Sequence, residues 1–289
     1  MDRPLVIYHG GCPDGFAAAY ALSNHFLQSE DRTCDLVPGV HGQPPPDVTG
    51  REVYLTDFSY RRPVLKEMCS KAASVVVIDH HISAEKDLKG LELEHGNLRV
   101  VFDMHKSGAV LAWEFFHDTP PPQLFLHIQD RDLWTFALDG TNDIYAALIS
   151  RQLDIALMDQ LCSTPGSLDL LLNEGGAINR YRRRMIDLHR EKAVMANISG
   201  YQVPVVNCYE DIMSDLVGEL AEGHPFAAGY QDQGELRKWS LRSRSDGMDV
   251  SRIAASYGGG GHRNAAGFST ILPDGLLYIP EGEGSEPGE

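Results

Sequence analysis

Two motifs that lie far apart in the chain carry groups suited to catalysis. Asp79, His80 and His81 end an apolar run, and four glycines followed by His262 and Arg263 occupy positions 258–263. Carboxylates and imidazoles are ligands for divalent metal ions. Consecutive glycines let successive backbone amides point at one anion, which can approach without meeting a Cβ atom. Together the motifs predict a metal-dependent enzyme that acts on a phosphoester.

The residues that could hold metal ions follow strand-like segments. Each of three apolar runs stands directly before a His or an Asp: 5–8 before His9, 52–56 before Asp57, and 73–78 before Asp79. Helix-like stretches alternate with these runs, which predicts an α/β domain with a mostly parallel sheet and helices on both faces. Ligands of such sheets collect at the carboxyl ends of the strands. We therefore expect these side chains to meet at one edge.

A binuclear centre for phosphoester hydrolysis needs oxygen and imidazole ligands, and a carboxylate that can bridge two ions about 3.5–4 Å apart. Residues of these types at successive segment ends form the candidate set: His9, Asp14, Asp57, His80 and Asp130. Asp132 competes with Asp130, because both closely follow the apolar segment 124–128.

The segments divide into two predicted domains. Residues 1–175 are expected to form the metal-binding domain, 176–196 a charged helical linker, and 197–280 a smaller α/β domain that carries the glycine loop. We expect an active-site cleft between the two domains. The Gly- and Glu-rich residues 281–289 are expected to be a disordered acidic tail.

Composition restricts the partners. The 289-residue chain has a formal net charge of −16, which opposes binding to long duplex DNA. Its five cysteines include no Cys-x-x-Cys pair, which fits free thiols in a reducing compartment. No apolar run approaches the roughly 18 residues of a membrane helix. We expect a cytoplasmic protein, a monomer or a homodimer, without a membrane partner.

The motifs resemble those of the DHH phosphoesterase superfamily, a DHH domain followed by a DHH-associated domain. The matching segments are His9-x-x-Cys12-x-Asp14-Gly15, Asp57, Asp79-His80-His81, Asp130 and Gly259-Gly260-Gly261-His262-x-x-Ala265-Ala266-Gly267. Relatives with this layout include RecJ-like exonucleases and short-oligonucleotide phosphodiesterases. The resemblance implies manganese as the metal, as one or two ions, with magnesium as an alternative.

The resemblance also implies a role for each matching residue. One metal would be held by His9, Cys12 and Asp57, and a second by Asp14, Asp57, His80 and Asp130, with Asp57 as the bridge. The family pattern favours Asp130 over Asp132. Asp79 would orient His80, and His81 would face the substrate.

Cys12 departs from the family pattern, which has Asp at this position. Thiolate favours softer metals such as zinc or ferrous iron. Three interpretations remain: Cys12 binds a softer metal, it leaves the first site weak so that one ion does the work, or it is an apolar filler beside an inactive site.

By the same resemblance, the glycine loop would hold a substrate phosphate. The residues expected to bind substrate are His81, Ser107, Arg242, Gly259, Gly260, Gly261, His262 and Arg263. Ser107 could equally cap a helix N-terminus.

The leading functional hypothesis is a phosphodiesterase or exonuclease that cleaves short or single-stranded RNA or DNA, including linear dinucleotides, to mononucleotides by attack of metal-activated water. The same metals and loop would also serve a polyphosphatase, for which no base needs to be recognised. A third hypothesis is a nucleotide-binding protein whose catalysis is weakened by Cys12.

Overall fold

The computed structural model describes residues 3–272, so the predicted tail at 281–289 lies outside the described residues. The chain separates into two compact units, with the division between Arg184 and Met185 inside one long helix. Within the described residues, no helix has the length and apolar character needed to cross a membrane.

The first unit is built on a five-stranded sheet in which all strands are parallel. Its strands, in the spatial order β2-β1-β3-β4-β5, are β1 (Leu5–His9), β2 (Asp35–Gly39), β3 (Glu52–Thr56), β4 (Ser74–Asp79) and β5 (Leu98–Phe102). Its helices are α1 (Pro13–Glu30), α2 (Arg62–Lys71), α3 (Ile82–Leu88), α4 (Gly108–Phe116), α5 (Gln123–Asp132), α6 (Thr141–Ile149), α7 (Ile155–Ser163) and the first part of α8 (Ser167–Arg190). The predicted parallel sheet is confirmed.

Alternating side chains of the central strands pack into two separate hydrophobic cores, one on each face of the sheet. Val6 packs on one face with residues of α1, α4 and α5, among them Phe125. Leu5 and Ile7 pack on the opposite face with α2, around Leu65. Successive side chains of a strand point to opposite faces of the sheet, so a continuous apolar run needs helices on both sides. The predicted covering of both faces is therefore confirmed.

The second unit contains a six-stranded mixed sheet in the order β10-β11-β9-β8-β7-β6. The strands are β6 (Val194–Ile198), β7 (Tyr201–Asn207), β8 (Ala227–Gln233), β9 (Leu236–Arg242), β10 (Gly260–Gly261) and β11 (Ala265–Ile271), and the helices are α9 (Glu210–Leu220) and α10 (Val250–Ser256). Only the β7–β8 pair is parallel among the pairings described. A smaller α/β unit is thus present. The domain boundaries at 1–175, 176–196 and 197–280, and the functions assigned to these domains, stay a prediction.

Candidate metal centre

Three neighbouring strands deliver their polar residues to one edge of the parallel sheet. Tyr8 of β1 pairs with Thr56 of β3, and Thr56 pairs with Ile78 of β4. The next residues along these strands are His9, Asp57 and Asp79, so parallel register brings all three to the carboxyl edge.

Asp57 lies between two imidazoles. Its Oδ2 is 3.2 Å from His9 Nδ1, and its Oδ1 is 3.0 Å from His80 Nε2. The Asp57 backbone has a φ of 53°, in the left-handed region, and its N–H donates to the Ile78 carbonyl at 2.9 Å. A strained backbone held by a neighbouring strand fixes the direction of this buried carboxylate. Its two oxygens face different imidazoles, and the bridging role of Asp57 stays a prediction.

Asp14 reaches the same place from the first turn of α1. Its Oδ2 accepts the Gly108 N–H at 2.7 Å and lies 4.0 Å from His80 Nε2, and its Oδ1 accepts the Ala109 N–H at 3.1 Å. Both amides belong to the N-terminus of α4, where unpaired N–H groups favour an anion. A Cβ atom on Gly108 would lie 2.4 Å from Asp57 Cβ, so a glycine is needed where α4 meets the carboxylates.

Asp132 belongs to this cluster, and Asp130 does not. Asp132 Oδ2 is 3.5 Å from His80 Nε2, and ligand atoms of Asp14, His80 and Asp132 all lie within 4.8 Å of one another. The Asp130 carboxylate instead accepts hydrogen bonds from Thr135 and Thr141 and from the backbone of Ala137 and Leu138. The Asp130 carboxylate therefore organises the loop that follows α5, whereas Asp132 lies beside His80. Which of the two is a metal ligand stays a prediction, and the geometry favours Asp132.

The two carboxylates point to different places because a helix carries both residues. The apolar segment 124–128 is part of helix α5 and is not a strand. Positions two apart on a helix point about 200° apart around its axis, so one carboxylate reaches the site and the other points away. The choice between Asp130 and Asp132 depended on the orientation of this helix.

The electrostatics of the cluster indicate an excess of negative charge. Burial and the nearby Asp57 carboxylate raise the pKa of Asp14 well above its usual range and raise that of Asp132 as well. Burial opposes ionisation of Asp57, but hydrogen bonds to His80 and His9 prevail and lower its pKa. Burial alone would lower the pKa of His80, whereas its bond to Asp57 and the charges of the other carboxylates raise it. A divalent cation would neutralise such a group of carboxylates.

Cys12 stands at a second group of potential ligands. It precedes α1, and its Sγ, a ring nitrogen of His9 and a carboxylate oxygen of Asp57 all lie within 4.8 Å of one another. Burial and the neighbouring carboxylates raise the pKa of the Cys12 thiol well above its ordinary value. A Cβ on Gly15 would lie 2.3 Å from the His9 carbonyl oxygen, which explains the glycine where α1 meets β1. The position of Cys12 suits a ligand, and its role stays a prediction.

Asp79 fixes the pair of histidines that follows it. Its Oδ1 accepts the backbone N–H of His80 at 2.7 Å and lies 2.6 Å from Nδ1 of His81. Asp79 therefore holds the backbone of His80 and the imidazole of His81. Hydrogen bonding of one ring nitrogen sets the tautomer and leaves the other nitrogen to face a ligand.

Ser107 acts as the N-cap of α4. It is fully buried, its Oγ accepts the Val110 N–H at 3.5 Å, and its own N–H donates to Gln129 at 3.0 Å. The hydroxyl also hydrogen-bonds to the Asp14 carboxylate, which offsets a small part of the rise in the Asp14 pKa caused by burial and by the other carboxylates. Capping is thus established, and the predicted contact of Ser107 with substrate stays a prediction.

The glycine loop of the second unit is more ordered than the sequence suggested. Gly260 and Gly261 form the short strand β10, which pairs with β11, and Gly261 has a φ of 137°. A Cβ on Gly259 would lie 2.0 Å from the Gly267 carbonyl oxygen. The His262 N–H donates to the Ala265 carbonyl at 2.8 Å. Close packing against β11 therefore explains part of the glycine run.

The two arginines predicted near this loop are held by neighbouring groups of the second unit. Arg242 donates to Ser214 Oγ at 2.7 Å and to Ser240 Oγ at 2.9 Å, and Arg263 donates to the Gly247 carbonyl at 3.1 Å. These bonds fix the guanidinium groups. Their binding to substrate, like that of Gly259, Gly260, Gly261 and His262, stays a prediction.

The structure adds one neighbour of the metal centre that sequence analysis missed. The His41 ring lies 5.7 Å from the His9 ring and 4.8 Å from the Phe58 ring. His41 follows β2, which contains Pro38 and was not recognised as a strand. Proline is tolerated on edge strands, and β2 is an edge of the sheet. Recognition of this strand would have placed His41 near the carboxyl edge.

Comparison with known proteins agrees with this fold. No protein-family model matches the chain. The uncharacterised protein R106 of Acanthamoeba polyphaga mimivirus is 29% identical and is aligned over 92% of this chain and 67% of its own length.

Among solved structures, the DHH domain of a protein assigned to a family of ribosomal proteins has a TM-score of 0.59 at 13% identity, over 93% of this chain and 83% of its own. RecJ of Thermus thermophilus in complex with Mn²⁺ has a TM-score of 0.54 at 15% identity, over 93% of this chain and 49% of its own. A pGpG-specific phosphodiesterase of Vibrio cholerae has a TM-score of 0.52 at 17% identity, over 94% and 95%. These structures confirm the predicted DHH fold.

Proposed function

We propose that this chain, which has the fold of the DHH proteins, is a metal-dependent phosphoesterase that hydrolyses short or single-stranded oligonucleotides, including linear dinucleotides, to mononucleotides. The observation that carries the proposal is the cluster of Asp14, Asp57 and Asp132 around His80. The similar structures include an enzyme named as a pGpG phosphodiesterase and RecJ with Mn²⁺.

The donor set fits a hard or borderline divalent ion. Carboxylate oxygens with imidazole nitrogen suit Mn²⁺, and Mg²⁺ prefers similar oxygen ligands. Asp14, Asp57, His80 and Asp132 would hold one ion, and His9, Cys12 and Asp57 a second. Bound metal would supply Lewis-acid stabilisation of the phosphoryl oxygens and lower the pKa of water. We propose manganese as the native metal, with the second group open to a softer ion because of Cys12.

The chain's own residues would orient the reaction. Asp57 fixes both His9 and His80, so the two ligand groups keep a constant relation. Asp79 holds the His81 imidazole in one tautomer, which would present its other nitrogen to a substrate oxygen. The buried carboxylates of Asp14 and Asp57 lie at a helix start and a strand end, which limits reorganisation during the reaction.

The two units would divide the work. We propose that residues 1–175 carry the metal chemistry and residues 197–280 bind a substrate phosphate through the glycine loop. The net charge of −16 favours short substrates over long duplexes, because an excess of acidic residues repels a long phosphate backbone. The free cysteines of the described residues fit a reducing compartment, for which we propose the cytoplasm.

The test is turnover under anaerobic conditions with Mn²⁺, Mg²⁺ or Fe²⁺, on a 5′-phosphorylated dinucleotide, a short single-stranded RNA, a short single-stranded DNA and polyphosphate. His80→Ala should lower the rate at least about 100-fold, because metal stabilisation is worth several kcal/mol. His105→Ala is the matched control, since His105 is exposed and lies outside the cluster. If only polyphosphate released phosphate, the substrate would be a phosphoanhydride and not a nucleotide. Absence of turnover with every metal would contradict an enzyme.

A further inference from the structure

The loop between α5 and α6 presents two aromatic rings to solvent. The rings of Trp134 and Phe136, here called the aromatic platform, are 43% and 36% exposed. Their centroids are 5.0 Å apart with an interplanar angle of 72°. Both residues have positive φ, 60° and 50°, which non-glycine residues rarely adopt. Hydrophobic burial alone would not select an exposed pair of large rings on a strained backbone.

A buried arginine supports the aromatic platform. Arg131 is 6% exposed, and its guanidinium carbon is 4.3 Å from the Trp134 ring centroid and 5.4 Å from that of Phe136. It also lies 4.9 Å from the ring of Tyr145. A cation over an aromatic face fixes the ring and costs little when the cation is already desolvated. The rings are therefore pre-positioned even though they remain accessible.

The buried carboxylate of Asp130 holds the loop in this conformation. It accepts hydrogen bonds from Thr135 Oγ1 at 2.7 Å, Ala137 N at 2.7 Å, Leu138 N at 3.1 Å and Thr141 Oγ1 at 2.6 Å. Charge-assisted bonds of this kind can offset the cost of two left-handed residues, which is of order 1–3 kcal/mol each. These bonds hold the loop in one conformation although its residues 134–139 are exposed.

The aromatic platform lies beside the candidate metal centre. Trp134 follows Asp132 by two residues, and Asp132 is grouped with Asp14 and His80. Arg131, which directly precedes Asp132 in the chain, lies against both rings of the platform. One short segment therefore carries a candidate metal ligand, the supporting cation and the exposed rings.

We propose that the aromatic platform stacks a nucleobase of the substrate and so selects nucleotide chains over inorganic polyphosphate. A ring supported by a cation and open to solvent suits stacking, which accepts every base because each has a π face. Phosphate groups alone would gain nothing from exposed apolar rings. This inference deepens the proposed function and rests on it for the location of the scissile phosphate.

The experiment compares binding of two phosphorothioate dinucleotides that resist hydrolysis, one with bases and one abasic, by calorimetry with Mn²⁺. The variants are Trp134→Leu and the conservative Trp134→Phe. Leu138→Ala is the control, because Leu138 is 39% exposed in the same loop and is not aromatic. Thermal unfolding of each variant reports any change in folding.

We expect the unmodified protein to bind the base-bearing ligand at least about 5-fold more tightly than the abasic one. Trp134→Leu should weaken the base-bearing ligand by roughly 5- to 150-fold, the range of one stacked base, and leave the abasic ligand unchanged. Trp134→Phe should recover much of the preference, and Leu138→Ala should keep all of it.

Equal affinity for both ligands in the unmodified protein, or an equal loss of both in Trp134→Leu, would overturn the stacking proposal. Because the readout is binding, failure of the proposed function is separate. Base-dependent binding without hydrolysis in the turnover assay would refute the phosphoesterase and leave the platform as a nucleotide site. Hydrolysis without base-dependent binding would support the phosphoesterase and refute the stacking role of the platform.

Discussion

Replacement of Asp130 and of Asp132 by asparagine should have opposite effects, although the two residues occupy neighbouring positions at the end of α5. Asp130→Asn should destabilise the protein and leave metal affinity nearly intact. Asp132→Asn should leave the metal-free protein as stable as before, or more so, and remove most of its stabilisation by Mn²⁺. The difference follows from what each carboxylate contacts.

The cost of Asp130→Asn can be derived from its hydrogen bonds. Oδ1 accepts from Thr135 Oγ1 and Ala137 N, and Oδ2 accepts from Leu138 N and Thr141 Oγ1. An asparagine oxygen can keep one pair, but its NH₂ group then faces a backbone N–H. Hydrogen bonds to charged groups contribute about 1.5–3 kcal/mol each, so loss of one bond and weakening of the others should cost roughly 2–4 kcal/mol. For a unit of this size that corresponds to roughly 5–15 °C in melting temperature.

The effect of Asp132→Asn follows from the crowding of carboxylates. The raised pKa values of Asp14 and Asp132 mean that their charged forms are disfavoured in the metal-free fold. Removal of one charge therefore relieves repulsion. In the unmodified protein, Mn²⁺ at 100 times its dissociation constant should add about 2.7 kcal/mol of stability. The asparagine variant should lose most of this gain at the same Mn²⁺ concentration.

Differential scanning calorimetry with and without Mn²⁺, together with calorimetric titration of the metal, measures both quantities. A crossed pattern is expected: low stability with normal Mn²⁺ affinity for Asp130→Asn, and normal stability with weak affinity for Asp132→Asn. If Asp130→Asn abolished Mn²⁺ stabilisation and Asp132→Asn retained it, the assignment of Asp132 to the metal centre would be refuted.

Three further predictions concern the centre and its support. Gly108→Ala should lower the free energy of unfolding by about 1–3 kcal/mol and weaken Mn²⁺ binding, because its Cβ would lie 2.4 Å from Asp57 Cβ. Gly96→Ala, which faces open space, should change the free energy of unfolding by less than about 0.5 kcal/mol, and calorimetry of both variants tests this. Cys12→Asp should shift the relative metal affinity of the protein from Zn²⁺ towards Mn²⁺ and Mg²⁺ in a competition titration, and Cys34→Ser, which lies outside the ligand groups, should not. An unchanged metal preference in both variants would exclude Cys12 as a ligand. Burial lowers the pKa of His117 below its ordinary value of 6.5, so the unfolded chain binds more protons and stability should fall as the pH drops below about 6.5. Between pH 7.5 and pH 5 the melting temperature should therefore fall less steeply in His117→Gln than in the unmodified protein, and identical slopes would contradict this.

The parallel sheet and the meeting of several candidate ligands at its edge could be predicted from the sequence because both depend on local patterns. Apolar runs before His9, Asp57 and Asp79 indicated buried strands, and strand order in a parallel sheet brings such residues to one edge. The predicted strand Glu52–Thr56 matches the structure, and Ser107 caps α4 as one interpretation foresaw. These features require only the period of the sequence and the chemistry of each residue.

The sequence was less informative where the orientation of an element decides which residues meet. Asp130 and Asp132 differ by two positions, and their roles depend on how α5 is rotated against the sheet. Strand β2 contains Pro38, which concealed it and the nearby His41. The glycines at 259 and 261 pack closely against β11, a role that a run of glycines does not by itself indicate. Tertiary contacts of this kind are not encoded in local periodicity.

The aromatic platform shows how chemical meaning can depend on contacts. In the sequence, Trp134 is an aromatic residue beside an acidic motif, equally suited to core packing. In the structure it remains 43% exposed over the buried Arg131 guanidinium. Exposure and support together, which no spacing rule reports, make it a candidate for stacking.

The proposed function depends on a divalent metal ion bound by the cluster of Asp14, Asp57, His80 and Asp132. Its direct test is anaerobic release of mononucleotide from a 5′-phosphorylated dinucleotide, with Mn²⁺ or with chelator, by the unmodified protein, His80→Ala and His105→Ala. We expect Mn²⁺-dependent release that His80→Ala reduces at least about 100-fold and His105→Ala retains. Release that persists in chelator, or that survives His80→Ala unchanged, would contradict it.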